Sequence, residues 1–383
     1  MEDTAVAGEY ASSPDRSLAP DAGASLAGVA FAAAVLLFTN DVLDDVTVAG
    51  AGVAVAGVML AAFFGRRYDV LDNRLAAPLA TAAGLAVVGV GGYALVAGSS
   101  GAALPLGLSA LAVGAIGAVV GGVGGVLAAV ADWRAIPDAR LATMFRTAFV
   151  STGIGLLGYL ALNVASLVIY VLVGVTIWTE LTPLRQQLVG ALGLGLGTGV
   201  TAVAYLRLSD RDLDFIDVRT PSLRDAGLAV GGVVAIFVGL YAVSIAMQAF
   251  GVPSSEHSVI QQAEQGNPEI LLLLVPISYL VIGPGEELLF RNIVQKSLYD
   301  SFSRASAVVI ASAVFALVHL PAYGSGGAAG TIGSLATIFT LSLVLGAFYA
   351  GSGNLLVPAF IHGTLNAVQF ALKYLQLTGG LPN

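Results

Sequence analysis

The chain has 383 residues, of which 57% are hydrophobic and only 10% charged, with a mean hydropathy of +0.88. Soluble domains carry roughly a quarter charged residues, so a water-soluble globular protein is excluded. A net charge of −8 argues against nucleic acid as a partner, and the absence of cysteine excludes disulfides, thiolate nucleophiles and cysteine-held zinc.

Residues 1–22 are polar, acidic and contain proline, and read as a disordered tail without the basic segment and cleavage signature of a secretory signal. The first helix is therefore expected to stay as an anchor. Apolar runs long enough to cross a ~30 Å hydrocarbon layer then follow one another to the end of the chain. Eleven spans are read: about 23–39, 46–64, 75–97, 102–131, 147–178, 186–206, 226–249, 269–299, 303–321, 332–351 and 354–375. The expected fold is all-α, a polytopic transmembrane helical bundle. Cytoplasmic loops collect Arg and Lys. With the N-terminus inside, 14 of the 16 basic residues, Arg291 included, fall on the cytoplasmic side and only Arg185 and Lys373 on the other. That split predicts an N-in, C-out chain in the cell membrane.

Three regions are expected: the tail 1–22, a four-helix membrane region 23–146 of unassigned role, and a membrane region 147–383. Spans one to four are nearly pure Ala, Gly, Val and Leu, whereas the later spans carry Glu, His and Asn. The runs "GAIGAVVGGVGG" (114–125) and "GALGLGLGTG" (190–199) look like phosphate loops but lack the preceding strand and following Lys-Ser/Thr. They are read as close helix packing. Basic residues are 14 Arg against 2 Lys, and acidic ones 16 Asp against 8 Glu, a bias that resembles salt-loving archaeal composition.

The stretch "VIGPGEELLFRNIVQ" (281–295) sets two glutamates side by side in an apolar span. A charge at membrane depth costs about 2.5–3.5 kcal/mol, so each needs a partner, water or a shifted proton affinity. Glu287 and Arg291 are four apart and pair on one helix face, in the favourable order. Glu286 points about 100° away and stays free to act as a base. Gly283-Pro284-Gly285 is expected to weaken or kink the helix beside the pair. Two histidines also lie in apolar spans: His319 in "FALVHLPAY", and His362 in "FIHGTLNAV" with Asn366 on the same face. Glu286, His319, His362 and Asn366 are expected to converge on one polar cavity. Counting residues along the helices makes Glu286 and His319 level and sets His362 close to the start of its span. An opening toward the cytoplasm is therefore expected. His257 reads as a solvated loop residue and Asn163 as a helix–helix contact.

"EELLFR", "FALVH" and "HGTLN" fit Glu-Glu-x-x-x-Arg, Phe-x-x-x-His and His-x-x-x-Asn in order. Over about 268–372 the chain thus resembles the CAAX prenyl endopeptidase and bacteriocin-processing (CPBP, or Abi) family of intramembrane proteases. The resemblance implies peptide-bond hydrolysis in membrane-embedded or prenylated, CAAX-like protein substrates. It implies water activation by Glu286 and His319, and oxyanion stabilisation by His362 and Asn366. Glu287 and Arg291 take the structural, orienting part. The family has also been described as metalloproteases, which would make Glu286, His319 and His362 zinc ligands; the metal-free version is the expectation, with no cofactor. Two other readings stand beside it. One is a non-catalytic immunity or scaffold protein of the same fold. The other is a proton-coupled transporter, disfavoured because the polar residues crowd into the last third rather than two related halves. The bilayer is the expected surrounding, and the sequence specifies no oligomeric state.

Overall fold

The computed structural model describes residues 17–99, 109–174, 177, 180–323 and 327–381. Among the described residues every extended element is helical, and nine helices are long and apolar enough to cross a membrane. The chain divides into two compact units, 1–142 and 143–383.

The first unit holds α1 (Leu18–Thr39), α2 (Val46–Arg67), α3 (Asn73–Ala97), α4 (Ala110–Trp133) and the first turn of α5 (Asp138–Ile169). The tail expected over 1–22 lies largely outside the described residues, but its last five are already helical, because α1 begins at Leu18, whose N–H donates to Asp138 Oδ1 at 2.9 Å. Likewise the opening of the fourth span, 102–108, lies outside them. Asp45, Asp72 and Ser109 cap α2, α3 and α4 by accepting backbone N–H groups of the first turn. The core is built mostly from alanine, including Ala27, Ala30, Ala56 and Ala129, around Met59 and Phe63. A Cβ at Gly121 would stand 2.6 Å from the backbone nitrogen of Ala30. The first glycine run is therefore a packing surface, as close helix approach in lipid requires.

The second unit continues α5 through a π-helical turn, Tyr170–Gly174, and adds α6 (Pro183–Leu208) and α7 (Leu223–Ala249). A short α8 (Ser258–Glu264) leads into α9 (Glu269–Leu298), then α10 (Arg304–Val318), a single turn Leu320–Tyr323, α11 (Gly327–Ser352) and α12 (Leu356–Leu377). The second glycine run also packs: a Cβ on Gly193 would meet Ser166 N at 2.7 Å, and one on Gly197 the backbone at Leu162. Asn163 Nδ2 donates to Tyr159 O at 2.7 Å on its own helix.

Two of the eleven expected spans differ from the rest. α10 has 15 residues, about 22 Å at 1.5 Å per residue, short of the ~30 Å layer. α12 has 22 residues but carries Thr364, Asn366, Gln369, Lys373 and Gln376, too polar for a lipid-facing span. Its apolar face, with Val357, Ile361 and Leu365, packs against Ile236 of α7 and Leu345 of α11. α9 is not broken at Gly283-Pro284-Gly285. Instead its turns widen to π-helix on both sides, Ser278–Ile282 and Leu288–Gln295. Pro284 has no N–H to donate, and a wider turn accommodates that loss without ending the helix.

Candidate active site

Two glycines set the distance between α9 and α12. A Cβ on Gly283 would lie 2.6 Å from the carbonyl oxygen of Ala359, and one on Gly363 would lie 3.0 Å from that of Ser278. Only this close approach brings His362 against the glutamates. Gly283→Ala is accordingly expected to lower stability by about 1–3 kcal/mol through overpacking. The measurement is thermal unfolding of the purified protein in detergent; an unchanged midpoint would refute the tight contact.

Glu287 and Arg291 have no exposed side-chain surface, and Arg291 Nε donates to Glu287 Oε2 at 2.9 Å. The other carboxylate oxygen, Oε1, accepts Nδ1–H of His362 at 2.9 Å. Glu287 therefore joins the arginine and the histidine and has no oxygen to spare. Both terminal nitrogens of Arg291 are buried without a hydrogen-bond partner; the guanidinium lies 4.8 Å from the centre of the Phe315 ring instead. Aromatic faces attract cations, most strongly out of water. Arg291 is thus no loop charge, and the topology tally becomes 13 to 2.

Glu286 keeps 15% of its side-chain surface. Its Oε2 is buried without a hydrogen-bond partner, 3.9 Å from His319 Nε2 and 3.8 Å from His362 Nε2. His319 caps the C-terminus of α10, and its Nδ1 lies 2.7 Å from Phe315 O. A carbonyl only accepts, so Nδ1 carries the proton. The same logic applies to His362 against the Glu287 carboxylate. Nε2 of each ring therefore faces Glu286. Phe315 packs on both rings, at 4.5 Å from His319 and 6.0 Å from His362.

These groups line a cavity of about 810 Å³, together with Asn366, one turn past His362. All four of Glu286, His319, His362 and Asn366 thus line one cavity. Two lining residues were not anticipated in this place, Tyr323 and His257. Burial, then the nearby Glu286 carboxylate, pushes the Tyr323 phenol up to about 12, so it stays a neutral donor. His257 is not a solvated loop residue: its Nδ1 accepts the N–H of Val259 and its ring stands edge-on to Tyr323 at 5.0 Å. Burial, then the nearby His319, lowers its pKa to about 4. The clue was in "HLPAY", which places a tyrosine one turn beyond His319.

The cavity extends toward Gln187, Glu256 and Lys373. Among the described residues, none from 209–222, 299–306 or 350–356 lines it. That end is closed by the loop before α7. Asp217 binds Lys296 Nζ at 2.7 Å and the Tyr349 hydroxyl at 2.6 Å, and its N–H donates to Asn292 Oδ1 at 2.8 Å.

Tetrahedral zinc ligands stand about 2.0–2.1 Å from the metal, with one position left for water in catalytic sites. Among the described residues no group of three or more His, Asp or Glu side chains is arranged to hold a metal ion. His362 Nδ1 is bound to Glu287, which leaves Nε2 as its other ring nitrogen. No step is routed through a metal.

The fold and site define a multi-pass helical membrane protein with a buried carboxylate between two imidazoles. Residues 268–368 match the family model described as type II CAAX prenyl endopeptidase Rce1-like. This segment, a little over a quarter of the chain, is a domain of the CAAX protease (CPBP) family, a protease family and hence one of hydrolases. No curated protein and no solved structure matched the chain.

Proposed function

We propose that the second unit is an endopeptidase that hydrolyses a peptide bond in membrane-anchored protein substrates, either membrane-embedded or prenylated and CAAX-like. The observation that carries this reading is the approach of two imidazole Nε2 atoms to one unpartnered carboxylate oxygen, at 3.8 and 3.9 Å. Such gaps are too long for direct hydrogen bonds and suit one bridging water.

A water between Glu286 and His319 gives its proton to the carboxylate as its oxygen attacks the substrate carbonyl. His362, when it carries both ring protons, donates from Nε2 to the developing oxyanion, and Asn366 Nδ2 donates beside it; such donors are worth several kcal/mol in a dry site. Glu286 then passes its proton to the leaving nitrogen, the C–N bond breaks, and an acid and an amine are released. Glu287 and Arg291 hold His362 in place.

The test is cleavage of a prenylated CAAX reporter peptide by the detergent-purified full chain, with and without a zinc chelator. Cleavage indifferent to chelator is expected. Loss on chelation would replace this mechanism with zinc chemistry at Glu286, His319 and His362. Failure to cleave both this reporter and membrane-embedded peptides would establish the non-catalytic reading.

A further inference from the structure

α12 carries its polar cavity residues on one face. His362, Asn366, Gln369, Lys373 and Gln376 all line the cavity. At 100° and 1.5 Å per residue they fall within a sector of about 80° and span about 21 Å. The stripe therefore starts beside Glu286 and runs outward along one wall.

Its members are not equally free. Lys373 is committed, pairing with Glu264 at 2.5 Å and Glu256 at 3.4 Å. Glutamines of the neighbouring helices bond one another, Gln187 to Gln262 at 2.7 Å and Gln262 to Gln186 at 3.0 Å. Gln369 and Gln376 are exposed, and among the described residues their side-chain amides bond no protein group. Each amide can therefore both donate and accept. Much of the remaining lining is apolar, with Leu240, Val243 and Met247 of α7. Its only Asp, Glu, Lys or Arg side chains are Glu286 and the paired Lys373 and Glu256.

A neutral row of donors and acceptors beside an apolar wall matches a peptide backbone with uncharged side chains. A lipid tail has no group for the amides to bond. A helical peptide has few to spare, since its N–H and C=O groups bond within the helix. An extended chain presents both, and at about 3.3 Å per residue about six residues cover the stripe.

We propose that this face of α12 is the substrate track: an extended, uncharged peptide segment of about six residues lies along it from Glu286 outward, its backbone hydrogen-bonded to Gln369 and Gln376. That the bound peptide is also the cleaved one rests on the protease reading above; binding along the track needs no cleavage to be measured.

The probes are fluorescent versions of the prenylated CAAX reporter and of a membrane-embedded peptide. Each is titrated into the full-length Glu286→Gln protein in detergent. Adding Gln369→Leu is expected to raise Kd by about 2–12-fold, the worth of one hydrogen bond, and adding Gln376→Leu as well should raise it further. In the active enzyme the same two changes should raise KM and leave kcat unchanged, as loss of uniform binding does. Replacing one backbone amide of the peptide by an ester removes one N–H. At positions facing the track this should weaken binding to the unaltered α12 but not to the double variant, a dependence that a merely structural role for the glutamines would not produce. An unchanged Kd in the variants overturns the proposal, and so does an ester cost that is the same with and without the glutamines. If no ester weakens binding, or neither peptide binds, it is overturned as well; both readings use the unaltered α12 and do not depend on a variant's folding. A peptide that binds through the track and is never cleaved would remove the protease reading alone. Cleavage indifferent to Gln369 and Gln376 would remove the track alone.

Discussion

Glu286→Gln is expected to abolish cleavage while leaving the protein folded. Gln matches Glu in size, and Glu286 makes no direct hydrogen bond through Oε2 whose loss would destabilise the fold. What the change removes is the carboxylate that takes the proton from water, since Glu287 is committed to Arg291 and His362. General-base catalysis contributes about 10²–10⁴-fold, so the cleavage rate should fall by at least that range. Reporter cleavage and thermal unfolding are to be measured on the same preparations. Equal cleavage by wild type and variant would remove Glu286 from the mechanism. A collapse in unfolding temperature would make it a structural residue instead.

Glu287→Gln is expected to do the opposite, lowering stability first and activity as a consequence. The substitution strands the charge of Arg291, which has no exposed side-chain surface and whose terminal nitrogens are already without hydrogen-bond partners. Breaking a buried pair by removing one partner costs about 3–5 kcal/mol, because an uncompensated charge remains. Removing both charges avoids that cost. The double variant Glu287→Gln with Arg291→Met should therefore recover most of the lost stability. The check is thermal unfolding of the two single variants and the double in one detergent. If Glu287→Gln unfolds at the wild-type temperature, the pair is not what holds this part of α9. If the double variant is as weak as the single, the cost lies in the His362 contact rather than in the stranded charge.

Much of the candidate site was legible because it rests on short spacings. Glu287 and Arg291 are four apart, so helix geometry alone pairs them, and the same spacing puts His362 and Asn366 on one face. Three short motifs, each weak, pointed to the protease family in the order in which the helices carry them. The contact from Glu287 to His362 was not legible, since 75 residues separate them and nothing local encodes their approach. That contact depends on Gly283 and Gly363, whose missing side chains let α9 and α12 meet. His257 was misread for a similar reason: its loop is polar in sequence, but the loop is pinned to α11 and turns the ring inward.

By itself the sequence determined that this is a helical membrane protein, since 57% hydrophobic residues and repeated apolar runs allow no other solvent. It also determined which few polar groups had to be accounted for at membrane depth, because each costs free energy unless it is used or paired. Only the tertiary structure decided that Glu287 also binds His362 and that Glu286 lies between His319 and His362. It also decided that the cavity extends toward Gln187, Glu256 and Lys373 while Asp217, Lys296, Asn292 and Tyr349 close the other end. The physical reason is that access depends on which loops fold over a site. That is a matter of contacts between residues far apart in the chain, to which spacing along a helix is blind.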